Sequence, residues 1–160
     1  MTESYMRGIV VGIIIVIYAT FYIINRAKKP KNKEQYIRKI QMYYARKNMK
    51  KTIELSMEAL NRFQLDIEDK VTVLIAIANS NYELKNYVDA IMYYNEAFNI
   101  TFIHKKEYHY SECFIYALDC LIKLDKLEKA KALFNKIIYS KEENKEFRKL
   151  IVFAKKNSLI

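Results

Sequence analysis

A chain of 160 residues is long enough for one compact domain and an appendage, and 52% of it is apolar. With only two glycines and one proline, it excludes turn-rich β architectures, and its glycines at positions 8 and 12 cannot build a phosphate-cradling loop. The net charge of +10 is concentrated. Residues 26–39 hold seven Lys/Arg against the single acid Glu34, a placement that favours an anionic surface over nucleic acid as partner.

In chain order, residues 8–25 come first and read GIVVGIIIVIYATFYIIN, without a charge. Eighteen such residues as a helix span roughly 27 Å, near the thickness of a hydrocarbon core. The expectation is a transmembrane anchor over residues 1–25, with Tyr18 and Tyr22 toward one interface. Neither a small-x-small cleavage site nor a lipoprotein cysteine follows, which argues against a cleaved leader. A basic juxtamembrane tether over 26–33 comes next, interrupted by Pro30, with Arg26, Lys28, Lys29, Lys31 and Lys33 at the membrane surface. The excess of basic residues after the span predicts a single-pass membrane protein whose remaining domain is cytoplasmic.

Residues 34–160 carry an internal repeat. In the stretch 74–100, Leu74, Ile77, Ala78 and Tyr82 fall on one helix, a turn follows at Lys85-Asn86, and Tyr87, Ala90, Tyr94 and Ala97 fall on a second. Residues 114–138 take the same frame: Ala117 and Leu121, a turn at Asp125, then Leu127, Ala130, Phe134 and Ile137. A third copy covers 36–63, with Tyr36, Ile40, Tyr43 and Tyr44 before the turn and Met49, Thr52, Ser56 and Ala59 after it. These positions resemble the tetratricopeptide repeat, in which small residues let paired helices approach closely. The spacings Thr52 to Ala90 (38) and Ala90 to Ala130 (40) exceed the roughly 34 of that family, and its proline after the second helix is absent. Phe147, Leu150, Ile151 and Ala154 then share one face of a C-terminal helix fit to cap a repeat stack. The expected fold is therefore all-α: a transmembrane helix, a short right-handed α-solenoid of about three helix pairs, and a capping helix.

The resemblance also implies a concave groove lined by the first helices. Its candidate residues are Arg38, Gln41 and Tyr44, then Asn79 and Tyr82, then Tyr116, Asp119 and Lys123. Tyrosine, asparagine and charged groups there suit an extended peptide or a partner helix. Tyr36, Tyr43, Tyr87 and Tyr94 match the family's packing positions instead. Where a chaperone-binding subfamily clamps a C-terminal carboxylate, this chain has Ile37, Gln41, Ala76, Glu112 and Tyr116, so that clamp is not implied.

Signals for chemistry are weak. His104 and His109 are five apart, which takes them off a common helical face, and His109 with Cys113 makes only two ligands at i, i+4; no metal site is expected. Cys113 and Cys120 stand two turns apart, roughly 10 Å along the axis, too far for a disulfide, and read as small buried apolar residues. Asp66, with Glu68 and Asp69 after it, reads as a helix N-cap and not as an acid cluster for catalysis. No enzyme activity and no cofactor are expected. The function expected is a membrane-anchored scaffold that recruits a protein or peptide partner at the cytoplasmic face. The alternatives are a subunit permanently incorporated in a larger membrane complex and an envelope-side assembly factor.

Overall fold

The computed structural model describes residues 10–20, 30–104, 112–139 and 147–160. The chain divides into two compact units, Met1–Lys31 and Asn32–Ile160.

In the first unit, residues 10–20 form helix α1, and every one of them is exposed, with Val10 to Tyr18 keeping more than half of their surface open. This corrects two expectations. Residues 8–9 and 21–25 lie outside the described residues, and the eleven described residues 10–20 account for about 17 Å of helix. Among the described residues no helix is long and apolar enough to cross a membrane. The transmembrane helix and the single-pass membrane localisation built on it are overturned.

The described residues of the second unit form seven α-helices: α2 (Lys33–Ala45), α3 (Met49–Arg62), α4 (Ile67–Glu83), α5 (Tyr87–Ile103), α6 (Cys113–Lys123), α7 (Leu127–Tyr139) and α8 (Arg148–Lys156). No strand occurs among the described residues, as the scarcity of turn formers anticipates. Side-chain caps open the first three of these helices. Asn32 accepts from the Gln35 N–H at 3.0 Å, Asn48 from Lys51 at 3.2 Å and Asp66 from Asp69 at 2.9 Å. Asp66 is thus the N-cap that its position before Glu68 and Asp69 suggests.

The turns inside the three pairs are copies of one another. After α2, α4 and α6 the chain passes through a left-handed residue, Lys47 (φ 56°), Lys85 (φ 64°) or Asp125 (φ 55°). In each, the next N–H reaches five residues back: Asn48 to the Tyr43 carbonyl, Asn86 to Asn81, Lys126 to Leu121. This is the Schellman arrangement, which satisfies carbonyls a helix end leaves orphaned, here without the glycine that usually takes the left-handed position. Four residues beyond each N-cap the second helix begins its ladder identically, with Thr52 N–H to Asn48, Ala90 to Asn86 and Ala130 to Lys126 at 2.9–3.0 Å.

Thr52, Ala90 and Ala130 have no exposed surface, nor do Ala59, Ala78, Ala97 and Ala117. Small side chains therefore line the places where helices cross. The packing is asymmetric. Successive first helices touch (α2 with α4, α4 with α6, α6 with α8), whereas the second helices of neighbouring pairs make no comparable contact. The first helices consequently form one continuous layer, with α3, α5 and α7 spread over its back. Two apolar clusters result: Tyr36, Ile40, Leu55, Ala59, Val73 and Ile77 in the first, and a larger one running from Ala78 through Tyr94, Phe114 and Leu118 to Leu150 and Ala154. Tyr93 packs against both. Of the four residues expected to share a face, Phe147 just before α8 and Leu150 and Ala154 within it are buried, while Ile151 is half-buried.

Ser56 and Ser80 are fully buried with hydroxyls that have no hydrogen-bond partner among the described residues. An unpaired buried hydroxyl costs about 1–3 kcal/mol, and alanine is also the better helix former. Ser80→Ala is expected to raise the unfolding free energy by about 1 kcal/mol, and Ser56→Ala to act in the same direction. Urea unfolding followed by circular dichroism checks this, and a loss of stability in both variants would mean that the hydroxyls do find partners.

A tyrosine-rich candidate site on the first-helix layer

The exposed side of the layer formed by α2, α4 and α6 carries two sets of linked polar and aromatic groups. At its centre, the Asn79 amide on α4 accepts a 2.6 Å hydrogen bond from the Tyr94 hydroxyl and hydrogen-bonds to the Tyr44 oxygen on α2. Toward α6, the Tyr82 hydroxyl donates to Asp119 Oδ2 at 2.7 Å, and its ring stacks on that of Tyr116, with centroids 4.7 Å apart and planes at 21°. Lys123 Nζ pairs with the same Asp119 oxygen at 2.6 Å and lies over the rings of Tyr82 and Tyr87, 5.5 and 5.1 Å from their centroids. The Tyr116 hydroxyl donates to Glu112 Oε2 at 3.3 Å, while Lys149 on α8 reaches Glu112 Oε1 at 3.5 Å.

The local sequence explains this placement. Asn79 and Tyr82 are i, i+3 on α4, and Tyr116, Asp119 and Lys123 follow i, i+3, i+7 on α6, so each set shares a helical face. Ala78, Asn81, Ala117 and Cys120 beside them are buried against the second helices, which turns their neighbours outward. Stacking of Tyr82 on Tyr116 joins the two faces.

Hydroxyl and thiol protons are held firmly here. Burial, with the Asp119 carboxylate as acceptor, pushes Tyr82 well above the ordinary tyrosine range. Burial likewise raises Tyr44 and Tyr116, and Glu83 and Glu112 raise both further, while the bond from Asn79 partly offsets the rise at Tyr44. Burial lifts Tyr94 most of all, and carries the Cys120 thiol up to about 12, aided by Asp119 and opposed by Lys123. Such groups donate hydrogen bonds at neutral pH and are poor nucleophiles. The arrangement is suited to contact, through aromatic faces and fixed donors and acceptors.

Of the eight residues assigned to a groove by resemblance, the structure joins Tyr82, Tyr116, Asp119 and Lys123 in one set and Tyr44 with Asn79 in another. Arg38 and Gln41 are exposed on α2 and stand apart from the network. Sequence reasoning placed Tyr94 and Tyr87 in the packing set. Tyr94 is fully buried, as expected, yet its hydroxyl orients Asn79; Tyr87 is half-buried and flanks Lys123. Nothing in a linear pattern pairs Tyr87 with Lys123, which are brought together by the α4–α5 turn. That turn also borders an open depression of about 270 Å³ lined by Lys85 to Asp89 and Leu124.

Of the residues assigned to a membrane surface, Arg26, Lys28 and Lys29 lie outside the described residues. Lys31 is exposed, and Lys33 is committed elsewhere: its ammonium pairs with Asp66 at 3.0 Å and Asp69 at 2.7 Å, tying the start of α2 to the start of α4. His109 also lies outside the described residues, among which no group of three or more His, Cys, Asp or Glu could hold a metal. Both cysteines are buried, and neither is in a disulfide.

Comparison with family models, with curated proteins and with solved structures finds no match for this chain.

Proposed function

We propose that residues 33–156 are a helical-repeat interaction module of the tetratricopeptide type, and that the tyrosine-rich face of α2, α4 and α6 binds an extended segment of a protein partner. The observation that carries this reading is the face itself. Tyr82, Tyr116, Asp119 and Lys123 orient one another across α4 and α6, Asn79 is fixed beside them by Tyr94 and bonds to Tyr44 of α2, and all six groove side chains remain partly open to solvent. Aromatic rings with fixed hydrogen-bonding groups are the composition of binding surfaces, and rings that are already stacked lose little freedom on binding. The repeat assignment rests on the three like turns and on the small residues at matching positions in each pair. The role is one of recruitment, without catalysis.

The test is directional. A photoreactive amino acid replacing Gln41 or Tyr116 on the inner face is expected to crosslink to a discrete protein partner at least tenfold more than the same group replacing Asn95 or Lys129 on the exposed back of α5 and α7. Equal labelling of the two faces would remove the groove from consideration.

A further inference from the structure

Of the seven α-helices described in the second unit, α5 alone carries no lysine or arginine, in a chain whose net charge is +10. Its outward stripe is formed by Val88, Met92, Asn95, Asn99 and Ile103, which follow i, i+4, i+7, i+11 and i+15 and so share one line along the helix. Val88, Met92 and Ile103 keep 62%, 54% and 75% of their surface open, and both asparagines are exposed. On the opposite side Ala90, Ile91, Tyr94, Ala97 and Phe98 are buried in the core. A helix that is largely apolar on both sides has two surfaces to cover, and the fold covers one.

Charge indicates what covers the other. A two-fold axis sets a face against its own copy, so a face with net charge repels itself. Two copies of a chain this basic approach at least cost where neither brings a lysine or arginine, and within the second unit α5 is that place. The acids on the edge of the stripe leave this intact: Asp89 lies in the first turn, and Glu96 is paired with Lys70 at 3.3 Å. The stripe is also complementary to itself. Valine, methionine and isoleucine pack against their like, and an asparagine amide both donates to and accepts from another. Asn95 is the middle residue of Tyr87–Ile103, so two α5 helices crossing at their centres bring their Asn95 side chains together.

We propose that two copies of this chain associate through α5, about a two-fold axis beside Asn95, with Val88, Met92, Asn99 and Ile103 extending the contact to either side. A helix of 17 residues is about 25 Å long, so the contact lies at the small end of specific interfaces, with a dissociation constant on the order of 10–100 µM. The tyrosine-rich face of α2, α4 and α6 stays open in both copies, and the inference does not depend on what that face binds.

Sedimentation equilibrium of the full chain tests this. Raising its concentration from about 5 to about 200 µM is expected to move the average mass from that of one chain toward that of two. Asn95 is exposed, and lysine and glutamate are both better helix formers. Asn95→Lys and Asn95→Glu are therefore expected to keep the thermal midpoint while each weakens the association at least tenfold, because each sets like charges together. Mixing the two variants is expected to restore a one-to-one pair, with lysine facing glutamate. Added salt is expected to strengthen the association of the parent by screening the repulsion between two basic chains. A photoreactive group at Asn95 would link the chain to its own copy, a product distinct in mass from a crosslink to another protein. A parent that stays monomeric at the higher concentration overturns the proposal. So does self-association that Asn95→Lys leaves intact, which belongs to another surface, or one that salt weakens, which is ionic. Loss in both variants without recovery in the mixture also overturns it, by placing the group opposite Asn95 elsewhere than on α5 of a second copy.

Discussion

Tyr94→Ala is expected to lower the unfolding free energy by about 4 kcal/mol, among the largest losses available in this fold. The ring has no exposed surface and stacks on Phe98 at a centroid distance of 5.8 Å with planes 20° apart. It belongs to the cluster that includes Phe114, Leu118 and Cys120, so truncation opens a cavity among side chains from α4, α5 and α6 at once. Large aromatic-to-alanine changes in such positions cost about 3–5 kcal/mol because the surroundings relax only partly. Tyr94→Phe separates packing from hydrogen bonding. It keeps the ring and removes the 2.6 Å bond to Asn79, for an expected loss of about 1 kcal/mol. The phenylalanine variant carries a second signature. Asn79 would lose one of the two partners that orient it, so the Tyr44 ring environment should change while Tyr116 is undisturbed. Denaturant midpoints give the first quantity and tyrosine ring resonances the second. A Tyr94→Ala protein within 1 kcal/mol of the parent would mean that the α4–α5–α6 core is not tightly packed.

Much of the second unit was legible because its repeats obey local rules. Alanine or threonine at 52, 90 and 130 could be read as crossing points, since only small side chains recur there amid larger apolar ones. Asp66 could be read as a cap from the acids that follow it. The helix pairs, and with them the face bearing Asn79, Tyr82, Tyr116 and Asp119, were expected from the resemblance to the tetratricopeptide repeat. What the chain did not disclose is long-range pairing. Lys33 reads as part of a basic tether, yet its charge is taken up by Asp66 and Asp69, more than thirty residues away. Lys123 reads as a groove cation, whereas it is enclosed by Asp119, Tyr82 and Tyr87. A charge pattern shows where charges lie along the chain but not which of them the fold neutralises. The expected span over residues 8–25 stands apart from these cases: among the described residues no helix is long and apolar enough to cross a membrane.

Ala90→Leu tests whether the close helix approach implied by the small residues is a real constraint. Ala90 is fully buried in the first turn of α5, and its N–H bonds to the Asn86 carbonyl at 2.9 Å, so its backbone cannot shift without breaking the turn that joins α4 to α5. Ala78 on α4 is equally enclosed. A leucine there must push α5 from α4 or adopt a poor rotamer, which costs about 3 kcal/mol where the backbone is this fixed. The corresponding residue of the first pair shows how much extra volume is tolerated. Thr52 is also fully buried, and its hydroxyl is accommodated by a 3.0 Å bond to the Asn48 carbonyl, the same group that accepts its N–H. A serine at position 90 can bond in the same way to Asn86, so Ala90→Ser is expected to cost no more than about 1 kcal/mol. The contrast between leucine and serine, measured by urea unfolding, carries the conclusion. Equal losses would place the penalty in helix propensity or side-chain polarity, whereas a leucine penalty about three times that of serine locates it in the distance between the two helices.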